Sequence, residues 1–172
     1  MLTKATGGDW VGLDEKVRAS KATVYELGDR KSAREFNKAG LDYLAKGEPE
    51  KAIVELEKAS NASRGDVEIR NNLGYAELKA RHFEKATGYF LDTLLIDPTR
   101  TACWANVAES FAERDKSVAA NAALLLSQHF SRNQAKTIEF YATGLGQLPS
   151  EKFRAAVASV LPALSNVPQF AR

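Results

Sequence analysis

The sequence predicts an all-α protein in which helix pairs stack in series, an α-solenoid. The first observation is that small residues recur at an interval of 34 positions: Gly40 and Gly74, then Ala52, Ala86 and Ala120. The second is that three units of equal length follow one another without insertion or deletion, at 33–66, 67–100 and 101–134. The third is a helical spacing of apolar residues, interrupted once per unit by a polar turn. Such a period indicates units that bury their apolar faces only against neighbouring units.

Each unit is predicted to hold two helices. In the second unit the apolar residues of the first helix are Ile69, Leu73 and Ala76, and those of the second are Phe83, Ala86, Phe90 and Leu94. The turns between helices fall at 45–49 and 79–82, and Asp97-Pro98 closes the second pair. Ser32 and Glu35 form a capping box, which predicts that the first helix begins at about Ala33.

The repeated positions have a packing reason. Helices approach closely only where side chains are small, which explains Gly40, Gly74 and Ala108 at one position and the three alanines at another. Large side chains then fill the space around them. These predicted core residues are Phe36 and Trp104, Tyr43 and Phe111, and the equivalent set Leu56, Phe90 and Leu124.

The two ends of the chain depart from the repeat. Residues 135–172 are predicted to form a degenerate fourth helix pair that caps the stack, with a frayed tail from Ser165. Its first helix carries Ile138, Tyr141, Ala142 and Leu145, and its second carries Phe153, Ala156 and Val160. Pro149-Ser150-Glu151 is expected to start the second helix and Pro162 to stop it. Residues 1–32 are predicted to form an N-terminal extension or a linker that contains at most one short helix.

Taken together, Asn72-Leu73-Gly74, Ala86, Phe90 and Asp97-Pro98 resemble a tetratricopeptide repeat. The first unit agrees with that pattern through Phe36, Gly40, Tyr43, Gly47, Ala52, Leu56 and Ala59. The third unit keeps Trp104, Phe111 and Ala120 but has Ala108 for glycine and lacks the closing proline. The resemblance implies a right-handed superhelix of antiparallel helix pairs, in which the first helices line a concave groove.

The resemblance also implies which residues face that groove and bind a partner. They are Asn37, Leu41 and Leu44 in the first unit, Asn71, Asn72, Tyr75, Leu78 and Lys79 in the second, and Ala105, Asn106, Glu109 and Glu113 in the third. A carboxamide donates and accepts at once, so Asn37, Asn72 and Asn106 could hold the backbone of a bound peptide.

One peptide-binding mode of the family is not expected. Domains that hold the acidic C-terminus of heat-shock chaperones use lysines, an arginine and asparagines, and here only Asn72 fits that set. Lys79 and Lys136 could each supply one charge, but Glu109 and Glu113 would repel an anionic tail. A neutral or basic, partly apolar ligand is therefore predicted.

Several function classes are disfavoured. Lys and Arg total 24 against 22 Asp and Glu and are scattered evenly, which argues against nucleic acid or an anionic membrane as the main ligand. The chain has no apolar run long enough to span a membrane. His82 and His129 lie far apart without metal-ligand spacing, and Cys103 is expected to be a buried hydrophobe. With no catalytic motif either, an enzyme, a metal site and a cofactor are not expected.

The leading hypothesis is a non-catalytic protein-interaction module, or adaptor, that binds an extended peptide or a partner helix in its groove. The alternative is a structural scaffold that assembles with itself or other domains through an end or its convex face. The apolar segment 122–126, with Phe130, is either such an interface or is covered by the fourth pair. A third possibility is the non-catalytic arm of a larger enzyme. A cytoplasmic location is favoured over the periplasm, and whether the chain is a fragment stays open.

Overall fold

The computed structural model describes residues 29–165, and within this range the protein is an all-α solenoid of helix pairs packed in series. The helices are α1 (Arg30–Ala45), α2 (Pro49–Ala62), α3 (Val67–Lys79), α4 (Phe83–Ile96), α5 (Thr101–Glu113), α6 (Ser117–His129), α7 (Gln134–Thr143) and α8 (Glu151–Ser165), with a 3-10 turn at Leu145–Gln147. The predictions made for residues 1–28 and 166–172 lie outside the described residues.

The stacking of α1 to α6 follows one rule. The helices pair as α1 with α2, α3 with α4 and α5 with α6, and the first helix of each later pair packs on the second helix of the pair before it. The first helices α1, α3 and α5 also lie side by side. The core is correspondingly continuous from α3 to α8, with Phe90, Leu124 and Val157 fully buried in its main cluster. A smaller cluster joins Leu56 of α2 to Leu73 of α3.

The turn inside each pair is the same structure three times. Gly47, Arg81 and Asp115 occupy equivalent positions and all have positive φ, at 73°, 65° and 58°. In each turn the following residue donates its N–H to a carbonyl five residues earlier, as His82 does to Glu77. A left-handed backbone is costly for residues other than glycine. The two later units therefore keep this turn against a local cost, because helix packing on either side fixes it.

The start of α1 differs from the expected capping box. The helix begins at Arg30 and not at Ala33, and its cap is Asp29. The Asp29 carboxylate accepts hydrogen bonds from the N–H groups of Lys31, at 3.1 Å, and Ser32, at 3.2 Å. An ionised carboxylate is a better acceptor for helix N–H groups than a hydroxyl and also complements the helix dipole. The Ser32 hydroxyl instead donates to Asp29.

The helices after α6 do not repeat the earlier stacking. Helix α8 packs against both α5 and α6. Helix α7 contacts α6, α8 and the 3-10 turn, and within residues 29–165 it has no close backbone contact with α5. The predicted core residues Phe153, Ala156 and Val160 are buried. Ala142 is exposed and Leu145 belongs to the 3-10 turn, because α7 already ends at Thr143.

Pro162 does not stop the last helix, contrary to the sequence-based expectation. It lies inside α8, which continues to Ser165. A proline removes the hydrogen bond to the carbonyl four residues before it. Here that residue, Ala158, is exposed, as is Pro162 itself, so water can satisfy the carbonyl. Leu164, two residues after Pro162, is fully buried and holds the final residues of the helix against the core.

The apolar segment of α6 is divided between core and surface. Ala123 and Leu124 are buried, Leu125 packs against the core, and Leu126 and Ala122 are exposed. The Phe130 ring stacks on that of Trp104 at a centroid distance of 6.2 Å, so it contributes to packing within the third pair. The segment is thus only partly covered by the following helices.

Gln128 is the buried residue whose polar atoms are least satisfied. It lies in α6 at the position equivalent to Leu94, and neither its Nε2 nor its Oε1 has a hydrogen-bond partner among residues 29–165. Because an unpaired buried polar group costs about 1–3 kcal/mol, Gln128→Leu is expected to raise the free energy of unfolding by about that amount. Urea unfolding measures it, with the exposed Gln147→Leu as the matched control. A less stable Gln128→Leu variant would contradict the interpretation.

Candidate functional site

The predicted groove residues lie on α1, α3 and α5, and we call the surface that these helices share the first-helix face. Its apolar members are Leu41 and Tyr75, which are equivalent by the repeat and are both exposed. Lys79, one turn after Tyr75, places its ammonium 5.0 Å from the centre of the Tyr75 ring. The middle of this face therefore presents an aromatic ring and a cation together. The ring can contact an apolar group of a ligand, and the ammonium can contact a polar one.

The asparagines connect the first two units. The Nδ2 group of Asn72 donates to Oδ1 of Asn37 at 3.0 Å, and both side chains are half-buried. A carboxamide has two donor hydrogens and one acceptor oxygen. After this bond, three groups of the pair remain for other partners. They are the second N–H of Asn72, the Oδ1 of Asn72 and the Nδ2 group of Asn37. Asn71 and Asn106 are also half-buried.

The end of the face that α5 forms is acidic. Glu109 is the third member of the row begun by Leu41 and Tyr75, and burial raises the pKa of its carboxyl, against the effect of the Lys79 ammonium. Glu113 has a side chain only 6% exposed and lies 3.5 Å from the guanidinium of Arg81. Its other oxygen, Oε1, is buried without a hydrogen-bond partner in the described part of the chain.

Two of the predicted groove residues pack toward the core, one of them completely and the other in part. Leu78 is 3% exposed and belongs to the main core cluster. Leu44 is half-buried and packs against the cluster around Leu56. Both lie at the same repeat position, which turns toward the second helix of the pair. Leu78 is therefore part of the core, and the accessible stripe of each first helix is narrower than the sequence pattern suggests.

Sequence reasoning missed a cavity of about 500 Å³ at the far end of the face. It lies between α5 and α7, where these two helices lose contact, and the end of α6 forms its floor. Its lining residues are Thr101, Ala102, Ala105, Asn106, Ser127, Ser131, Asn133, Lys136, Thr137, Phe140 and Tyr141. Of the predicted groove residues, Ala105 and Asn106 are among them. Nothing in the spacing of the residues signals this cavity, because it depends on how α7 packs on the third pair.

A hydrogen-bond network fixes the floor of this cavity. The Ser127 hydroxyl lies 3.0 Å from the carbonyl oxygen of Thr101 and 3.2 Å from the hydroxyl of the buried Tyr141. These contacts tie α6 to both α5 and α7. The rim carries Lys136, which is exposed and has no carboxylate within ion-pairing distance in the described range. The cavity is thus pre-formed and has an unneutralised cation at its edge.

Other kinds of chemistry find little support in the described residues. Among them, no group of histidine, cysteine and acidic side chains is arranged to hold a metal ion. The Cys103 thiol is buried against the main core, and that burial raises its pKa to about 12, so it is not a nucleophile at neutral pH. Within residues 29–165 there is also no helix of the length and apolarity that a membrane span requires.

Comparison with solved structures finds a distant likeness, whereas comparison of the sequence finds none. The sequence matches no protein-family model and no curated protein sequence. The chain is similar to a solved structure described as "MamA RS-1 ArsTM double mutant", with a TM-score of 0.34 and 13% sequence identity over 81% of this chain and 96% of that one. A likeness at that level carries no argument about function.

Proposed function

We propose that the protein is a non-catalytic interaction module that binds an extended peptide of a partner protein across the first-helix face. The observation that carries the proposal is the exposure of equivalent apolar residues, Leu41 and Tyr75, on adjacent first helices. Exposed aromatic and aliphatic side chains in a repeated row offer an extended chain one contact per unit. The tetratricopeptide resemblance of the sequence supports the same assignment.

The asparagines supply the polar contacts in this proposal. A peptide needs donors for its carbonyls and acceptors for its N–H groups, and the unused atoms of Asn37 and Asn72 offer both. Because the two side chains already hold each other in place, little ordering is needed on binding. On α5, the Glu109 carboxylate favours a basic residue of the ligand over an acidic one.

The test compares exposed apolar residues on the two sides of the solenoid. A displayed library of random linear peptides is selected on the wild-type protein, and the affinity of a selected peptide is measured by fluorescence polarisation. Leu41→Ala and Tyr75→Ala are each expected to weaken binding by about tenfold, the effect of losing a central apolar contact. The matched controls are Leu95→Ala and Val118→Ala on the second helices. Equal losses in both sets would overturn the proposal.

A scaffold that assembles through its second helices is the other candidate. Leu95 of α4 is 82% exposed and Val118 of α6 is 83% exposed, more than any apolar residue on the first helices. Exposed apolar residues can mark an interface between copies of a chain. If this candidate is correct, light scattering shows an oligomer that grows with concentration, and Leu95→Asp with Val118→Asp abolishes it. A monomer at all concentrations excludes it.

A further inference from the structure

We propose that the cavity between α5 and α7 receives one large apolar side chain of the bound peptide, and that Lys136 pairs with an acidic residue beside that side chain. The inference rests on the proposed function, which it makes specific: the ligand class is a linear peptide with an apolar anchor next to Asp or Glu.

The cavity exists because the fourth helix pair does not continue the stack. In the earlier pairs a first helix lies beside the preceding first helix, as α3 does beside α1. Here α8 takes up packing on α5 and α6, and α7 is left at a distance from α5. The hydrogen bonds of Ser127 to Thr101 and Tyr141 hold the three helices around the gap. The space is therefore a built feature of the fold, and it has a fixed floor.

Its size and walls suit an apolar side chain. A volume of about 500 Å³ falls within the usual range of ligand pockets and exceeds what a single large side chain occupies. Ala102 and Ala105 form one wall, and Phe140 forms another while remaining 61% exposed. The Phe140 ring is already in edge contact with the Tyr141 ring at 5.6 Å. An incoming aromatic or aliphatic group would cover the exposed face of Phe140 and extend this contact.

Charge complementarity decides what lies next to the anchor. Two other cations near the face already have partners, since Lys79 lies over the Tyr75 ring and Arg81 lies beside Glu113. Lys136 has no such partner among the residues that the structure describes. A ligand carboxylate at the cavity rim would therefore gain an ion pair without displacing an existing one.

The acidic part of the face sets where a basic residue of the ligand lies. Glu109 is four residues after Ala105 on α5, roughly 6 Å at the helical rise per residue. An extended peptide covers that distance in about two residues. The anchor and its acidic neighbour are thus expected at one end of the bound segment, with a basic residue about two positions away, against Glu109.

The experiment selects a displayed library of random linear peptides on three proteins. Wild type is expected to enrich peptides with a large apolar residue beside Asp or Glu. Lys136→Glu is expected to enrich Lys or Arg where wild type enriches Asp or Glu. The matched control is Lys116→Glu, just before the start of α6, and it is expected to enrich the same peptides as wild type. A synthetic peptide whose acidic residue is changed to lysine should bind Lys136→Glu about tenfold more tightly than it binds wild type.

A further variant tests the cavity itself. Ala105→Trp places a bulky ring in the space and is expected to abolish binding of selected peptides while the unfolding midpoint stays near that of wild type. If this variant fails to fold, the charge exchange at Lys136 still decides the question. Peptides that depend on Leu41 and Tyr75 but bind Lys136→Glu as well as wild type would overturn the cavity assignment alone. A wild-type protein that selects no peptide would overturn both this assignment and the proposed function.

Discussion

Replacing Phe90 by alanine is expected to lower the free energy of unfolding by about 3–5 kcal/mol, the usual cost of deleting a fully buried aromatic ring. Phe90 lies in α4 with none of its surface exposed, in the cluster that joins the second pair to the third. The loss combines the transfer energy of the ring with the cavity left behind. Phe90→Leu keeps most of the volume and should cost clearly less.

The measurement is urea unfolding followed by helical circular dichroism. Phe140→Ala is the matched control, because that ring is mostly exposed, and it should change stability by less than about 0.5 kcal/mol. Repeat proteins couple through neighbouring units, so the loss at Phe90 should shift the whole transition and not one part of it. A loss below about 1 kcal/mol, or a second transition, would show that the second pair does not link the array.

The repeat could be predicted from sequence because it depends on residue size at fixed intervals. Gly40 and Gly74 are predicted to allow a close helix approach, and the structure places Leu56 and Phe90 directly over them. The turns can be located from sequence as well, but the positive φ of Arg81 cannot, since arginine does not favour that region. Gly47 signals a positive φ clearly and Asp115 does so more weakly.

The site was harder to predict because accessibility depends on packing between elements. Leu78 has the spacing of a groove residue, yet its side chain is in the core. The cavity depends on how α7 and α8 sit on the third pair, which no periodicity encodes. Buried Glu77 is a similar case: it occupies the position of Tyr43 and Phe111, and its carboxylate is held by His82 Nδ1 at 2.7 Å. A buried glutamate is possible at this position because His82, in the turn that follows α3, is its hydrogen-bond partner.

The close contact between Gly40 and Leu56 predicts a second large loss of stability when either residue is replaced. Leu56→Ala alone is expected to cost about 2–5 kcal/mol, because the side chain is fully buried between α1, α2 and α3. Gly40→Ala alone should cost about 1–3 kcal/mol, since its new Cβ would lie 2.5 Å from Cγ of Leu56. The double variant should be less destabilised than the sum, because the shorter side chain at 56 leaves room for the methyl group.

Double-mutant analysis by urea unfolding measures this coupling, and Gly88→Ala supplies the control. Gly88 is an exposed helical glycine with no atom within 4 Å of an added Cβ. Its replacement should stabilise the protein by about 0.5–1 kcal/mol, the ordinary gain from removing glycine inside a helix. In the Leu56→Ala background, Gly40→Ala should no longer lower the free energy of unfolding, and its effect should approach the gain expected for Gly88→Ala. Additivity within about 0.5 kcal/mol would mean that the two residues do not share the contact, and that Gly40 is small for a reason other than the Leu56 side chain.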